Sequence, residues 1–178
     1  CKFLVFHEFT HSGRLISNAL KEMGIKHEWL WGGAKDVRGI EERLVNDSRV
    51  RGIIVNAKMG AYALDYLSCT NYLFFFESPI SVIDREQAER RPWRQGQKRT
   101  VFQSDLVCRG TGDARILAFI AEGGDLEKAL LRDPESVLQG ASGSPRAGRF
   151  AHQKGELAPR CGPPPERLRN ALGMALLH

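Results

Sequence analysis

No stretch of this sequence is long enough and apolar enough to cross a bilayer as a helix. Its strongest apolar run is NYLFFF at residues 71–76, against the roughly 20 residues a spanning helix needs. No secretory signal is visible. Cysteine is scarce: Cys1, Cys69, Cys108 and Cys161 lie far apart and form no CxxC. That spacing argues against a zinc site or a dense disulfide framework, and for reduced thiols in a cytosolic protein. No GxxxxGK[ST] occurs, so the turn and lysine that grip a β-phosphate are missing. What is present is a core former: 42% of the 178 residues are hydrophobic, enough for one domain of ordinary size. The formal charge is +5, which modestly favours anionic partners. It is unevenly placed, because residues 139–178 hold six Lys/Arg against two Asp/Glu.

Apolar runs and helical periodicity alternate along the body. Strands are expected over KFLVF (2–6), IKHEWLW (25–31), RGIIVNA (51–57), NYLFFFES (71–78) and RTVFQSDLV (99–107). Between them, Leu15, Ile16, Ala19, Leu20 and Met23 recur on one helical face, with Ser12 as the expected cap and Gly24 as the stop. Further helices are expected over 36–47, 81–91 and 113–121. The alternation predicts an α/β fold, a mostly parallel central sheet between two helical layers. Ligands of such sheets collect at the carboxyl ends of the strands. HEFTHSG, NAKMGAYALD and ESPIS fall there.

Beyond Leu138 the texture changes. Residues 139–178 hold six of the 18 glycines and five of the eight prolines. This predicts a domain over 1–138 and a flexible tail over 139–178, mobile above all in 139–165. PERLRNALGMALL reads either as a short helix, with Leu168, Ala171 and Leu172 on one side, or as an unstructured end.

The densest chemical signal is QAERRPWRQGQ, residues 87–97. Arg85 to Arg99 holds six basic and two acidic residues. A guanidinium is a rigid fork of donors that stays protonated. Arg91 and Arg94 are three apart, a spacing that on a helix shares a face and can approach one polyphosphate. Pro92 crowds the preceding turn, which instead allows the helix to end near Arg91 and leaves Arg94 in a loop. Gly96 permits a sharp exit.

With these residues the chain resembles the second RecA-like lobe, the helicase C-terminal lobe, of superfamily 2 helicases, and among them the SNF2-like DNA translocases. Their signature QAxxRxxRxGQ is matched by Gln87, Ala88, Arg91, Arg94, Gly96 and Gln97, with Trp93 where histidine is common. Their preceding motif, close to KAGGxGLNL, appears as KMGAYALDY at 58–66: Lys58, Gly60 and Leu64 match, while Ala61 and Ala63 replace glycines and Asp65 replaces asparagine. Gly110-Thr111-Gly112-Asp113 resembles the closing GTxDE element, with Ala114 in place of its acid. The resemblance covers roughly 1–138 and implies a three-layer RecA-like lobe. It implies that Arg91 and Arg94 are catalytic and that Gly60, Gln87 and Asp65 contact nucleotide. Thr10, Ser12 and Lys58 would hold nucleic-acid phosphates, and no residue would bind metal. The Asp-Glu pair that holds Mg²⁺ in a first lobe is missing too. The expectation is therefore a C-terminal motor lobe, inactive alone, of an ATP-dependent DNA translocase or helicase. ATP and Mg²⁺ would be held by an N-terminal RecA-like lobe of the same longer protein. Double-stranded DNA is the expected partner, with no membrane, and the expected location is cytoplasmic, nucleoid and nucleus remaining open. The alternative is a non-catalytic nucleic-acid-binding domain that kept the fold, to which Ala61, Ala63 and Trp93 speak.

Two other features have plainer readings. His7-Glu8-Phe9-Thr10-His11 satisfies HExxH as a string, but His7 closes a strand rather than sharing a helix with His11. Trp29 and Trp31 lie two apart in a strand, on one face, and are read as core, a stacking platform for bases being the alternative.

Overall fold

The computed structural model describes residues 1–59, 66–108 and 112–121, together with Leu168 and Leu172. Among the described residues five strands run in chain order: β1 (Phe3–His7), β2 (His27–Leu30), β3 (Gly52–Asn56), β4 (Tyr72–Phe75) and β5 (Phe102–Asp105). They form one parallel sheet in the order β2-β3-β1-β4-β5. The helices are α1 (Thr10–Glu22), α2 (Val37–Asn46), α3 (Val82–Arg90) and α4 (Asp113–Ala121), with a 3₁₀ turn at Tyr66–Cys69. The result is the three-layer α/β architecture of a RecA-like lobe.

The central strands β1, β3 and β4 are buried along nearly their whole length. A parallel sheet covered on both faces requires such continuous apolar runs. Side chains alternate between the faces, and the core divides accordingly. On one face Leu4, Phe6, Ile53, Val55, Leu73 and Phe75 pack with Ile40 and Leu44 of α2 and Ala88 of α3. On the other, Phe3, Val5, Ile54, Tyr72 and Phe74 pack with Ile16 and Leu20 of α1. Leu168 and Leu172 are helical and buried in this second cluster. The rest of 139–178 lies outside the described residues.

Several local expectations change. Ser12 does not cap α1: the N-cap is Phe9, in extended backbone and with no side-chain bond, and Ser12 sits in the first turn. The capping is done from a distance, by Glu77. Trp29 packs against the second cluster, but Trp31 falls beyond the end of β2 and is exposed, so the core reading holds only for Trp29. Cys69 and Cys108 remain thiols, whereas Cys1 is disulfide-bonded, which corrects the reading of four reduced thiols. No helix among the described residues is long and apolar enough to cross a membrane.

Candidate functional site

The sequence-selected residues divide between the two edges of the sheet. At the carboxyl edge, β1 and β4 lie side by side, and the chain leaves them in opposite directions along the sheet order. Glu77, two residues past β4, reaches across to the start of α1. Its Oε2 accepts from the backbone N–H of Glu8 at 2.9 Å and of Phe9 at 3.1 Å, and its Oε1 accepts from the Ser12 hydroxyl at 2.6 Å. A carboxylate there satisfies donors that a helix start leaves unpaired and complements the positive end of the helix. Ser12 is thus buried and engaged with Glu77, while Thr10 is exposed. Lys58, just past β3, is exposed and approaches Glu8 Oε1 at 3.3 Å. Asn56 ties the same corner together by donating to the Glu8 carbonyl at 2.6 Å. Thr10, Ser12 and Lys58 therefore share one edge.

His7, at the end of β1, lies beneath α1. A Cβ on Gly13 would stand 2.7 Å from the His7 ring, so only glycine lets the helix pass so close. The Phe9 carbonyl, which can only accept, lies 2.9 Å from His7 Nδ1, and the Trp29 indole N–H, which can only donate, lies 3.3 Å from Nε2. Those partners fix the tautomer and leave neither ring nitrogen available to a metal. Burial pushes the His7 pKa below its usual value, against the pull of the Phe9 carbonyl and the Glu77 carboxylate. The HExxH string is accordingly no metal motif. Among the described residues no group of three or more His, Cys, Asp or Glu is disposed to hold a metal ion.

The arginine segment belongs to the opposite edge. α3 starts near the carboxyl end of β4, where the Ser81 hydroxyl caps it by accepting from Asp84 N–H. Its nine residues rise about 13 Å, enough to carry the chain back across the height of the sheet. The helix ends at Arg90, Arg91 is its C-cap, and turns follow through Gly96. Pro92 is why: it has no N–H to extend the ladder and its ring crowds the preceding turn. Arg91 is 9% exposed, whereas Arg94 is exposed on the loop. The two arginines are not on one helical face: Arg91 is a buried residue at the helix end and Arg94 an exposed one on the loop.

The loop is held in place by the last residues of the motif. Gly96 adopts φ +103°, a conformation that side-chain-bearing residues rarely take. Gln97 Nε2 donates to the Thr70 carbonyl at 2.7 Å and to the Pro92 carbonyl at 3.2 Å, and its Oε1 accepts from Arg99 N–H at 3.0 Å. Thr70 precedes β4, so Gln97 fastens the loop to the amino edge. Gln87 is exposed on α3. Gly60 and Asp65 lie outside the described residues.

One contributor escaped the sequence reading. Arg85, 4% exposed in its side chain, lies over the Phe75 ring at 3.4 Å and grips Asp105 with two parallel bonds of 2.6 and 3.0 Å. Glu89 and Ser78 accept from two more of its donors at 2.6 and 2.9 Å. This network locks α3 to β4 and β5 and so sets where the arginine loop begins. The pair is 20 residues apart in sequence, and no local periodicity reveals it.

Several known proteins are similar to this chain. The 172L protein of Invertebrate iridescent virus 6, named as a helicase, is 24% identical over 138 residues, 76% of this chain and 23% of its own length. The ATP-dependent helicase fft1 of Schizosaccharomyces pombe is 25% identical over 146 residues, 80% of this chain and 15% of its own. The DNA repair protein RAD5 of Cryptococcus neoformans is 30% identical over 123 residues, 65% of this chain and 10% of its own. The chain thus spans less than a quarter of the length of these curated relatives. The solved C-terminal part of the Fun30 ATPase domain superposes with a TM-score of 0.63 at 22% identity, covering 67% of this chain and 38% of that one. No family model matches. The chain is thus similar at low identity to parts of two helicases and a DNA repair protein, and it shares the fold of the C-terminal part of an ATPase domain.

Proposed function

We propose that this chain is the C-terminal motor lobe of an ATP-dependent DNA translocase or helicase, and that Arg91 and Arg94 act on ATP held mainly by another lobe. The observation that carries this reading is the presentation of Arg94. Arg94 is exposed on a loop that α3, Gly96 and Gln97 fix to one edge of the sheet. A transferring phosphoryl group spreads charge over three equatorial oxygens, and an arginine from a neighbouring lobe offsets that charge. Because such a group arrives only on lobe closure, hydrolysis is coupled to movement. Arg91, buried at the helix end, contributes from behind, and Gly60, Gln87 and Asp65 border the nucleotide. Mg²⁺ bound with ATP would neutralise the phosphates, and the carboxylates that hold it belong to the other lobe. Thr10, Ser12 and Lys58, grouped at the opposite edge, form the DNA-facing side, with Ser12 acting through Glu77 and the fixed start of α1. The names of the relatives, helicases and a DNA repair protein, support the assignment.

The test is Arg94→Ala in the full-length protein that carries this lobe, assayed for DNA-stimulated ATP hydrolysis and for nucleotide binding. Turnover is expected to fall by about 10³–10⁵, the scale of an arginine finger, with binding changed far less. The chain of 178 residues alone is expected not to hydrolyse ATP. Full turnover in the Arg94→Ala protein would establish the alternative, a nucleic-acid-binding domain that kept the helicase-lobe fold without its catalysis.

A further inference from the structure

A cavity of about 410 Å³ opens at the amino edge of the sheet. It lies between the end of α2, the starts of β1 and β3, the 3₁₀ turn and the exit of the arginine loop. Its cationic lining is Lys2, Arg51, Lys98 and Arg99, and no Asp or Glu lines it. We propose that it is a binding site for small oligophosphates, ligands with two or more linked phosphate groups, gripped by Arg51, Lys98 and Arg99. The inference is independent of the proposed function, since neither Arg91 nor Arg94 lines the cavity.

The argument begins with what each cation is already doing. Lys2 is occupied: its ammonium donates to the carbonyls of Leu44 and Asp47 at the C-terminal end of α2, where a cation offsets the negative end of the helix. The Asp47 carboxylate is engaged by Lys26 at 2.8 Å and Arg49 at 3.0 Å. Arg51, Lys98 and Arg99 differ. Their side chains make no ion pair among the described residues, and they converge on one concavity from two separate parts of the chain. Like charges gathered without a counter-charge repel one another, and a bound anion relieves that repulsion. Guanidinium forks match phosphate oxygens. The Ser48 and Ser68 hydroxyls and the Gln97 side chain also line the site and add neutral hydrogen-bonding groups. The volume falls within the range of small-molecule sites, about 300–1,000 Å³. The cationic field extends to the cavity lining. Burial raises the Cys69 thiol pKa, and Lys2 and Arg99 pull it the other way.

Cys69 provides the readout. The full chain is treated with iodoacetamide, a neutral reagent, and labelling at each cysteine is followed by peptide mass spectrometry. Sodium pyrophosphate is compared with sodium sulfate at equal ionic strength. At ten times its Kd, pyrophosphate is expected to slow Cys69 labelling about tenfold, because only about a tenth of the sites stay empty. Cys108 labelling should not change. The double variant Arg51→Gln, Arg99→Gln should lose the protection and keep its Tm, and Lys98→Gln gives the same reading should the double variant fail to fold. Equal slowing by sulfate, no slowing at millimolar pyrophosphate, or protection that survives the substitutions would each overturn the proposal. Protection by a short oligodeoxynucleotide but not by pyrophosphate would also overturn it, and would make the patch a nucleic-acid contact.

Discussion

Arg85 and Asp105 meet through two parallel hydrogen bonds of 2.6 and 3.0 Å, with the guanidinium stacked on Phe75. Losing one partner of a fully buried pair costs about 3–5 kcal/mol. The Asp105 carboxylate keeps some access to water, so Arg85→Ala is expected to cost about 2–3 kcal/mol. Asp105→Asn should cost less, because Glu89 still faces the arginine at 2.6 Å. Urea unfolding of both variants checks the order. An Asp105→Asn protein less stable than Arg85→Ala would show that Glu89 does not compensate.

A second expectation concerns pH. Burial lowers the pKa of both His7 and His27. His27 Nδ1 faces the Ile25 carbonyl at 2.9 Å, so Nε2 accepts from the Ser17 hydroxyl at 2.9 Å. Protonation would turn Nε2 into a donor and oblige the Ser17 hydroxyl to rotate and accept instead. A depressed histidine pKa means that the unfolded chain binds protons first. Stability is therefore full above the unfolded pKa of about 6.5 and falls as pH drops through the folded value. Each histidine contributes a slope of at most about 1.4 kcal/mol per pH unit. Chemical denaturation between pH 7.5 and 5 should show the loss, and His27→Gln should flatten it. An unchanged midpoint across that window would remove both histidines from the account.

Gly96→Ala should strain the loop that presents Arg94. At φ +103° a Cβ costs about 1–3 kcal/mol, even though nothing stands nearer than Ser68 Oγ at 4.0 Å. The cost is therefore conformational, not steric. A thermal melt of the variant checks this, and an unchanged Tm would mean that the turn adapts freely.

The final segment is expected to matter to the fold. Leu172 is buried against the face that carries Val5, Ile54 and Phe74. Leu172→Ala should cost about 2–5 kcal/mol, the range for core leucines. Stability identical to that of the parent chain would return all of 139–178 to the status of a tail.

Much of the fold is legible in the residues themselves. Phe3 to Phe6 and Tyr72 to Phe75 are continuous apolar runs of strand length, rich in aromatics, as a strand buried on both faces requires. Gly24, at φ +69°, stops α1 where the sequence expects it to stop. Pro92 marks the end of α3 because a missing N–H acts wherever the proline stands. The arginine motif is likewise visible, since it lies within eleven consecutive residues. Ser12 misleads because hydroxyl caps are recognised locally, whereas the group that satisfies the start of α1 is Glu77, 65 residues beyond Ser12. Leu168 and Leu172 reveal a helical face, but not the surface that receives it.

The sequence by itself determined the order of strands and helices, the parallel sheet and the arginine motif, because propensity, periodicity and spacing act between near neighbours. Only the tertiary structure decided that Thr10, Ser12 and Lys58 gather at one edge while the arginine loop and a basic cavity occupy the other. It also decided that Arg91 is buried while Arg94 is presented, and that Arg85 answers Asp105. Those outcomes depend on where the chain crosses back over the sheet, and on contacts between residues that meet only once the layers have closed.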